Sequence, residues 1–466
     1  MKKYFGDKAF YRHLLVIVVP ILIQNAITNF VNLLDNIMVG QVGTNPMSGV
    51  SIVNQLIFIF NLCLFGGLAG AGIFTAQFFG KQDVEGIRHT FRFKILIVAV
   101  IDLLAIGILF FFGEDLITFY MHQNGEAGDA AQVLYYGKQY LSVMFLEMIP
   151  FSLTQAYAST LRECDDTMLP MKAGIVAIVM NLILNYLLIY GKLGLPALGV
   201  VGAALATAIA RLFEAGIVLI YTHRHSERHA FIRSAYRSMH IPRALALDMM
   251  RKGFPLLLNE TLWSMGIAAL GVNYAVRGLE VIAANNISNT LSNLFNVIFF
   301  SMGSATAIIL GQELGAGNPE VKTDAGRLAI TSVGACVVTG SLMFLCAGFF
   351  PEIYNTEPGV RELATGLIRI SACFSPLFAY ENVAYFTIRS GGKTWITFVF
   401  DAGYLWLIPV PFSYLMVHYT AMPILTIYLL VQCLDFIKAG YGLYLVRKGN
   451  WIQDLTGSSK TVPEQA

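Results

Sequence analysis

Of 466 residues, 56% are hydrophobic and only 13% are charged, whereas a soluble domain carries roughly a quarter charged residues. That composition excludes a soluble globular fold. The formal net charge of +2 says little by itself, because in a membrane protein the placement of Lys and Arg is what carries information, and no nucleic-acid partner is expected.

Apolar runs predict twelve spans in chain order, at 13–38, 47–78, 93–113, 138–160, 169–190, 198–222, 253–275, 281–312, 326–350, 364–388, 395–417 and 421–445. They match the roughly 20 residues that a helix needs to cross the hydrocarbon core. Irregular backbone and open sheet edges cannot face lipid, so the chain should be helical almost throughout. The basic start MKKYFGDKAFYRHLL lacks a small-residue cleavage site, and the first span is expected to be retained rather than removed as a signal peptide. Twelve spans put both termini on one side. Lys2, Lys3, Lys8 and Arg12 lie there with Lys81, Arg88, Arg92, Lys94 and the Arg-rich loop from Arg224 to Lys252, against Lys138, Lys192, Arg277 and Arg361 opposite. By the positive-inside rule both termini are cytoplasmic and the protein is a multi-pass protein of the cell (inner) membrane.

Within the first span, Pro20 is followed by Asp35 in NLLDNIMVG. Glu147 falls in the fourth span, Glu260 in the seventh within LLLNETLW, and Asp401 in the eleventh within FVFDAGYLW. A carboxylate at the centre of a bilayer costs about 2.5–3.5 kcal/mol on insertion scales and normally faces a cavity or a partner. None of the four has an obvious basic residue one turn away to neutralise it. They are candidates for a coupling cation, as ligands for Na⁺ or as groups that load and release H⁺; a structural hydrogen bond is the plainer alternative. In the fifth span Asn181 and Asn185 stand four apart and so share one helical face, which suits a hard-cation site with Asp35, although Asn also joins transmembrane helices by hydrogen bonding. Prolines at 20, 150, 255, 376, 409 and 411 lie in or at the edge of spans and interrupt the backbone ladder there.

An internal repeat organises all of this. An offset of 235 places Pro20 on Pro255, Gly43 on Gly278, Asn54 on Asn289, Asn61 on Asn296, Gln77 on Gln312 and Gly80 on Gly315. An offset of 227 then pairs Thr160 with Thr387, Arg162 with Arg389 and Thr167 with Thr394. Each half holds six spans, an even number, so the halves run parallel, an architecture of transporters that work by alternating access. The expected fold is an all-α membrane protein with twelve transmembrane helices in two six-helix bundles related by pseudo-two-fold symmetry. The expected divisions are an N-terminal lobe 1–222, a basic cytoplasmic linker 223–252, a C-terminal lobe 253–446 and a cytoplasmic tail 447–466.

Other chemistries find little footing. The six cysteines show no CxxC spacing, and packing is their expected role. GGKT at Gly391–Thr394 lacks the earlier glycine of a phosphate loop, where Thr387 stands, and no HExxH or GxSxG occurs, so neither nucleotide-driven pumping nor a common hydrolase is indicated.

The duplicated unit, NLLDNIMVGQVG, AQFFGKQD after the second span, TLRECDDTMLP after the fourth, NLILNYLLIYG, GVVGAALATAIAR and GQELGAGNPE together resemble the multidrug and toxic compound extrusion (MATE) family across nearly the whole chain. The resemblance implies a V-shaped pair of six-helix bundles that exports amphipathic or cationic organic compounds in exchange for Na⁺ or H⁺. It implies no cofactor, no enzymatic activity, small organic substrates, a lipid bilayer as the surroundings and function as a monomer. On the family pattern Asp35 is the acid of the first lobe, with Asn181, Asn185 and Thr207 completing its cation site; Asp35, Asn181 and Asn185 would hold the metal ion if it is Na⁺. Asn185 stands where certain relatives carry aspartate. In the seventh span Trp263 occupies the position of a family glutamate, with Glu260 a turn earlier, and Glu381 is the nearest acid in the tenth span. Glu260, Asp401, Trp263 and Glu381 are therefore the second-lobe or substrate-binding candidates. A flippase for lipid-linked saccharides is the alternative within the same superfamily, and a passive channel or an intramembrane enzyme is the alternative from another class.

Overall fold

The computed structural model describes residues 6–124, 129–354 and 356–457. Among them there is no strand. Six long helices come from the first half: α1 (Lys8–Gly40), α2 (Thr44–Gly80), α3 (Val84–Asn124), α4 (Ala130–Glu163), α5 (Met168–Tyr190) and α6 (Val200–Arg224). The second half supplies α7 (Arg243–Ala275), α8 (Leu279–Ala316), α9 (Val321–Cys346) and α10 (Pro358–Ser390). An interrupted span follows as α11 (Thr394–Phe398), a π-helical turn Val399–Gly403, α12 (Tyr404–Leu407) and α13 (Pro409–Tyr419), and α14 (Ile424–Lys448) closes the series.

All twelve expected spans overlap these helices. Among the described residues, ten helical segments are long and apolar enough to cross a membrane, counting Thr394–Tyr419 as one. The other two long helices, α4 and α7, have 34 and 33 residues, about 50 Å at the α-helical rise, but carry more polar side chains. Leu103, Phe110, Phe111, Leu345 and Phe349 are each at least 70% exposed. Such patches are rare on soluble proteins and belong against lipid.

The repeat is visible in the backbone. Gly43, between α1 and α2, has φ +143°, and its counterpart Gly278, between α7 and α8, has φ +124°; that region favours residues without a Cβ. Four of the prolines, Pro20, Pro150, Pro255 and Pro376, lie inside continuous helices. At Pro409 the helix restarts, with Pro at its first turn and Ile408 at φ −121°, where the missing N–H costs least.

Two compact units emerge, one of Ile23–Thr75 and Val84–Met250, the other of Met1–Leu22, Ala76–Asp83 and Arg251–Ala466. In the first, α4 packs on α3 and α6, and α5 on α6, around a core that includes Val53, Leu64, Ile117, Met148 and Ala204. The segment that follows α6 is folded onto α3: Phe231 and Ile232 are buried, and the Arg92 guanidinium donates to the carbonyls of Ser234 (3.1 Å), Ala235 (2.8 Å) and His240 (3.1 Å). In the second unit, α10 packs on α8, α9 and α14. Leu14 and Ile17 of α1 join Ile309, Leu314, Leu328 and Trp451 in one cluster.

Candidate functional site

The first candidate site is assembled by α1, α5 and α6. Helical periodicity turns Asn181 and Asn185 to the same face of α5, and both are buried, at 7% and 2% exposed. Asn185 Nδ2 donates to Asp35 Oδ1 at 2.7 Å and lies 3.1 Å from Asn181 Oδ1. The Asn181 amide is hydrogen-bonded to Thr207 Oγ1 at 3.1 Å, and the Thr207 hydroxyl also lies 3.1 Å from the Ala203 carbonyl. The four residues that the resemblance groups are thus contiguous in space.

The Asn181 amide satisfies its neighbours with its nitrogen toward both Asp35 oxygens, at 3.2 Å, and its oxygen toward the Thr207 hydroxyl. Asn185 Oδ1 is buried with no hydrogen-bond partner. One carboxylate, two amide oxygens and a hydroxyl make a hard, oxygen-only donor set. Among the described residues no cluster of three or more His, Cys, Asp or Glu stands ready for a metal, so any ion here is held mainly by neutral oxygens around one charge.

Glu147 lies elsewhere in this unit, on α4, buried, with Oε2 lacking a hydrogen-bond partner. It is not joined to the Asp35 set by any described hydrogen bond. Sequence reasoning did not single out Arg211 as a partner on α6; it donates to Glu214 at 2.8 Å and its guanidinium lies 4.9 Å from the Phe151 ring centre.

The remaining candidates come together in the second unit. Asn259 of α7 accepts the backbone N–H of Ala402 (3.1 Å) and donates to Asp401 Oδ2 (3.0 Å), which pins the π-helical turn that carries Asp401. Tyr385 of α10 accepts from Asn259 at 3.2 Å and donates to Glu260 at 3.3 Å. Lys438 of α14 donates to Asp401 Oδ1 at 2.9 Å and stands 3.5 Å from Glu381 Oε2. Asp401, which has no basic residue one turn away in its own span, receives its cation from another helix instead. Trp263 is half-buried a turn beyond Glu260, and among the described residues no hydrogen bond joins it to this network. Asn259, Tyr385 and Lys438 were missed; the one available signal was a lysine inside an apolar span.

A duplicated helical bundle with large apolar side chains exposed and oxygen donors gathered on a half-buried carboxylate is the architecture of a membrane transporter. The MatE family pattern matches residues 20–187 and again 255–415, and the chain belongs to that family. Among relatives, the Thermotoga maritima protein called "Probable multidrug resistance protein NorM" is 23% identical, over 94% of this chain and 93% of its own length. NorM of Vibrio vulnificus, a multidrug resistance protein, is 26% identical over 87% of each chain. The multidrug resistance protein PmpM of Pseudomonas aeruginosa is 24% identical over 87% of this chain and 84% of its own. In three dimensions the chain is similar to an outward-facing multidrug resistance MATE family transporter of the MOP superfamily, with TM-score 0.84, 18% identity and coverage of 96% and 97% of the two chains. A mutant of the Vibrio cholerae MATE transporter VcmN gives TM-score 0.83 at 18% identity, covering 95% and 98%.

Proposed function

We propose that this protein is a secondary antiporter that exports amphipathic or cationic organic compounds in exchange for Na⁺ or H⁺. The observation that carries the reading is the half-buried Asp35 carboxylate of α1, which accepts from Asn185 at the end of a polar chain that runs on through Asn181 to Thr207, while the Arg211 guanidinium acts on it without a hydrogen bond. A charge held there by amides, with Arg211 of the same unit already paired with Glu214, has reason to exchange a counter-ion. The names of the multidrug resistance relatives support the substrate class.

In this reading Asp35 is the coupling group, with Asn181, Asn185 and Thr207 as further ligands of a Na⁺ ion, or as the hydrogen-bonded surroundings of a protonated carboxyl. Residues 1–222 and 253–446 form the two lobes, 223–252 joins them and 447–466 is the tail. The chain sits in the inner membrane with both termini cytoplasmic and works as a monomer. Against the flippase alternative, the basic residues well inside spans are already engaged, Arg211 with Glu214 and Lys438 with Asp401, while Arg369 lies over Phe344; a pyrophosphate group needs unpaired cations.

The test is ethidium efflux from proteoliposomes under an imposed Na⁺ gradient and, separately, an imposed H⁺ gradient. One gradient drives uphill movement in the wild type, and Asp35→Asn abolishes it while the variant remains folded and inserted. Uphill transport that persists in that variant removes Asp35 from coupling.

A further inference from the structure

The Lys438 ammonium group occupies a site with the composition of an organic-cation receptor. Two carboxylates face it, Asp401 at 2.9 Å and Glu381 at 3.5 Å. Two aromatic faces flank it, with Nζ 5.3 Å from the Phe400 ring centre and 5.8 Å from that of Tyr404. Carboxylates with aromatic walls are how proteins hold substituted ammonium ions. The Lys438 side chain is 14% exposed and that of Glu381 only 7%, so the group is enclosed rather than resting on a surface.

Its two carboxylates are not equally satisfied. Asp401 has a partner on each oxygen, Lys438 on Oδ1 and Asn259 on Oδ2. Glu381 has one oxygen at the long 3.5 Å separation from Lys438, while its Oε1 is buried with no hydrogen-bond partner, as is the Tyr404 hydroxyl. A buried anion left half-partnered is expensive. A single ammonium therefore spans a site that can engage more positive groups than it now does. The offset that relates Thr167 to Thr394 also relates Arg211 to Lys438, so each half keeps a fixed cation at the corresponding sequence position.

We propose that Asp401, Glu381, Phe400 and Tyr404 form a second cation-recognition site, for primary or substituted ammonium groups, and that Lys438 is its tethered occupant. Lysine suits this task because it is a compact point charge on a flexible stem, able to leave one carboxylate for another. An incoming alkylammonium competes with it for Asp401 and Glu381. The site rests on the transport reading only for its role in export, since its chemistry is defined by these four side chains and by Asp435 of α14, whose carboxylate also acts on Lys438.

The test is equilibrium binding of ethylammonium to the purified full-length chain in lipid nanodiscs. Lys438→Met removes the tethered charge at similar length, and ethylammonium should then bind at least about tenfold more tightly than to the wild type, equivalent to about 1.4 kcal/mol. Adding Asp401→Asn to Lys438→Met should abolish the gain, and Lys438→Arg should show none. If Lys438→Met does not fold, Lys438→Gln combined with Glu381→Gln removes one charge of each sign and carries the same expected dependence on Asp401. No gain on removing the ammonium, or a gain that survives Asp401→Asn, overturns the proposal. The readout is binding, so the result is independent of whether the wild-type chain moves any cation across a membrane.

Discussion

At the residue scale the Asp35 carboxylate depends on one close donor, Asn185 Nδ2 at 2.7 Å. Asn185→Leu keeps the side-chain volume and withdraws that donor, together with the unpartnered Oδ1. Leaving a buried group without its partner costs about 1–3 kcal/mol, so the half-saturating concentration of the coupling ion in driven efflux should change by about tenfold or more; an unchanged ion dependence would place Asn185 outside the site. A second residue-scale prediction concerns the segment after α6. His229 is 3% exposed, and burial lowers its pKa below the ordinary 6.5, with Asp166, 3.4 Å away, acting in the opposite sense. The folded state therefore binds fewer protons at His229 than the unfolded state does. The stability this contributes is present above pH 6.5 and is lost as pH falls below it. Amide exchange in residues 226–236 should accelerate as pH drops through that window, after correction for the intrinsic rate, and should lose this dependence in His229→Gln. The Asn181 and Asn185 pairing was legible because helical spacing alone puts them on one face. Lys438 was not, because its partners Asp401 and Glu381 lie 37 and 57 positions away along the chain and no local period links them.

At the element scale the ends of α2 and α8 cross through two glycines that the repeat relates. A Cβ on Gly80 would overlap the Gln312 carbonyl, and a Cβ on Gly315 would overlap the Gln77 carbonyl. The crossing is thus reciprocal, and neither backbone can yield without moving the other helix. Overpacking at such a contact costs about 1–3 kcal/mol, so Gly80→Val and Gly315→Val should each lower the thermal unfolding midpoint by a similar amount. A change in only one of them would mean that the two contacts are not equivalent. Gln77 adds polar ties at the same place, donating to the carbonyls of Ser390 (3.0 Å) and Gln453 (3.1 Å) and accepting the Leu455 N–H (2.8 Å). Apolar runs revealed where the helices are and little about where they stop. The third span, read as 93–113, is the middle of a 41-residue helix, because hydropathy detects the hydrocarbon-facing part and is blind to polar turns that extend beyond it. The break in the eleventh span was half-legible: Pro409 marks the restart, while the π-helical turn around Asp401 depends on Asn259 capping it from α7.

At the scale of the whole molecule, duplication is what the sequence disclosed best. Identities at fixed offsets divided the chain into two six-span halves, and the same family pattern matches each half separately. The polar centres are not duplicated in the same way. One unit gathers a carboxylate with amides, Asp35 with Asn181 and Asn185, and the other gathers carboxylates around an ammonium, Asp401 and Glu381 around Lys438. In the first, the one nearby fixed cation, Arg211, is bonded to Glu214 rather than to Asp35, whereas in the second the ammonium sits on the carboxylates themselves, and this contrast is the basis for proposing Asp35 as the coupling group. Coupling is reciprocal in free energy: an ion that weakens substrate binding is itself bound less well when substrate is present. The most direct measurement is therefore the affinity of the purified protein for ethidium across a series of Na⁺ concentrations at fixed pH, and across a pH series without Na⁺. Ethidium affinity should fall as the coupling ion rises in the wild type, and the dependence should vanish in Asp35→Asn. A wild-type affinity indifferent to both ions, or a dependence that Asp35→Asn leaves intact, would contradict the account.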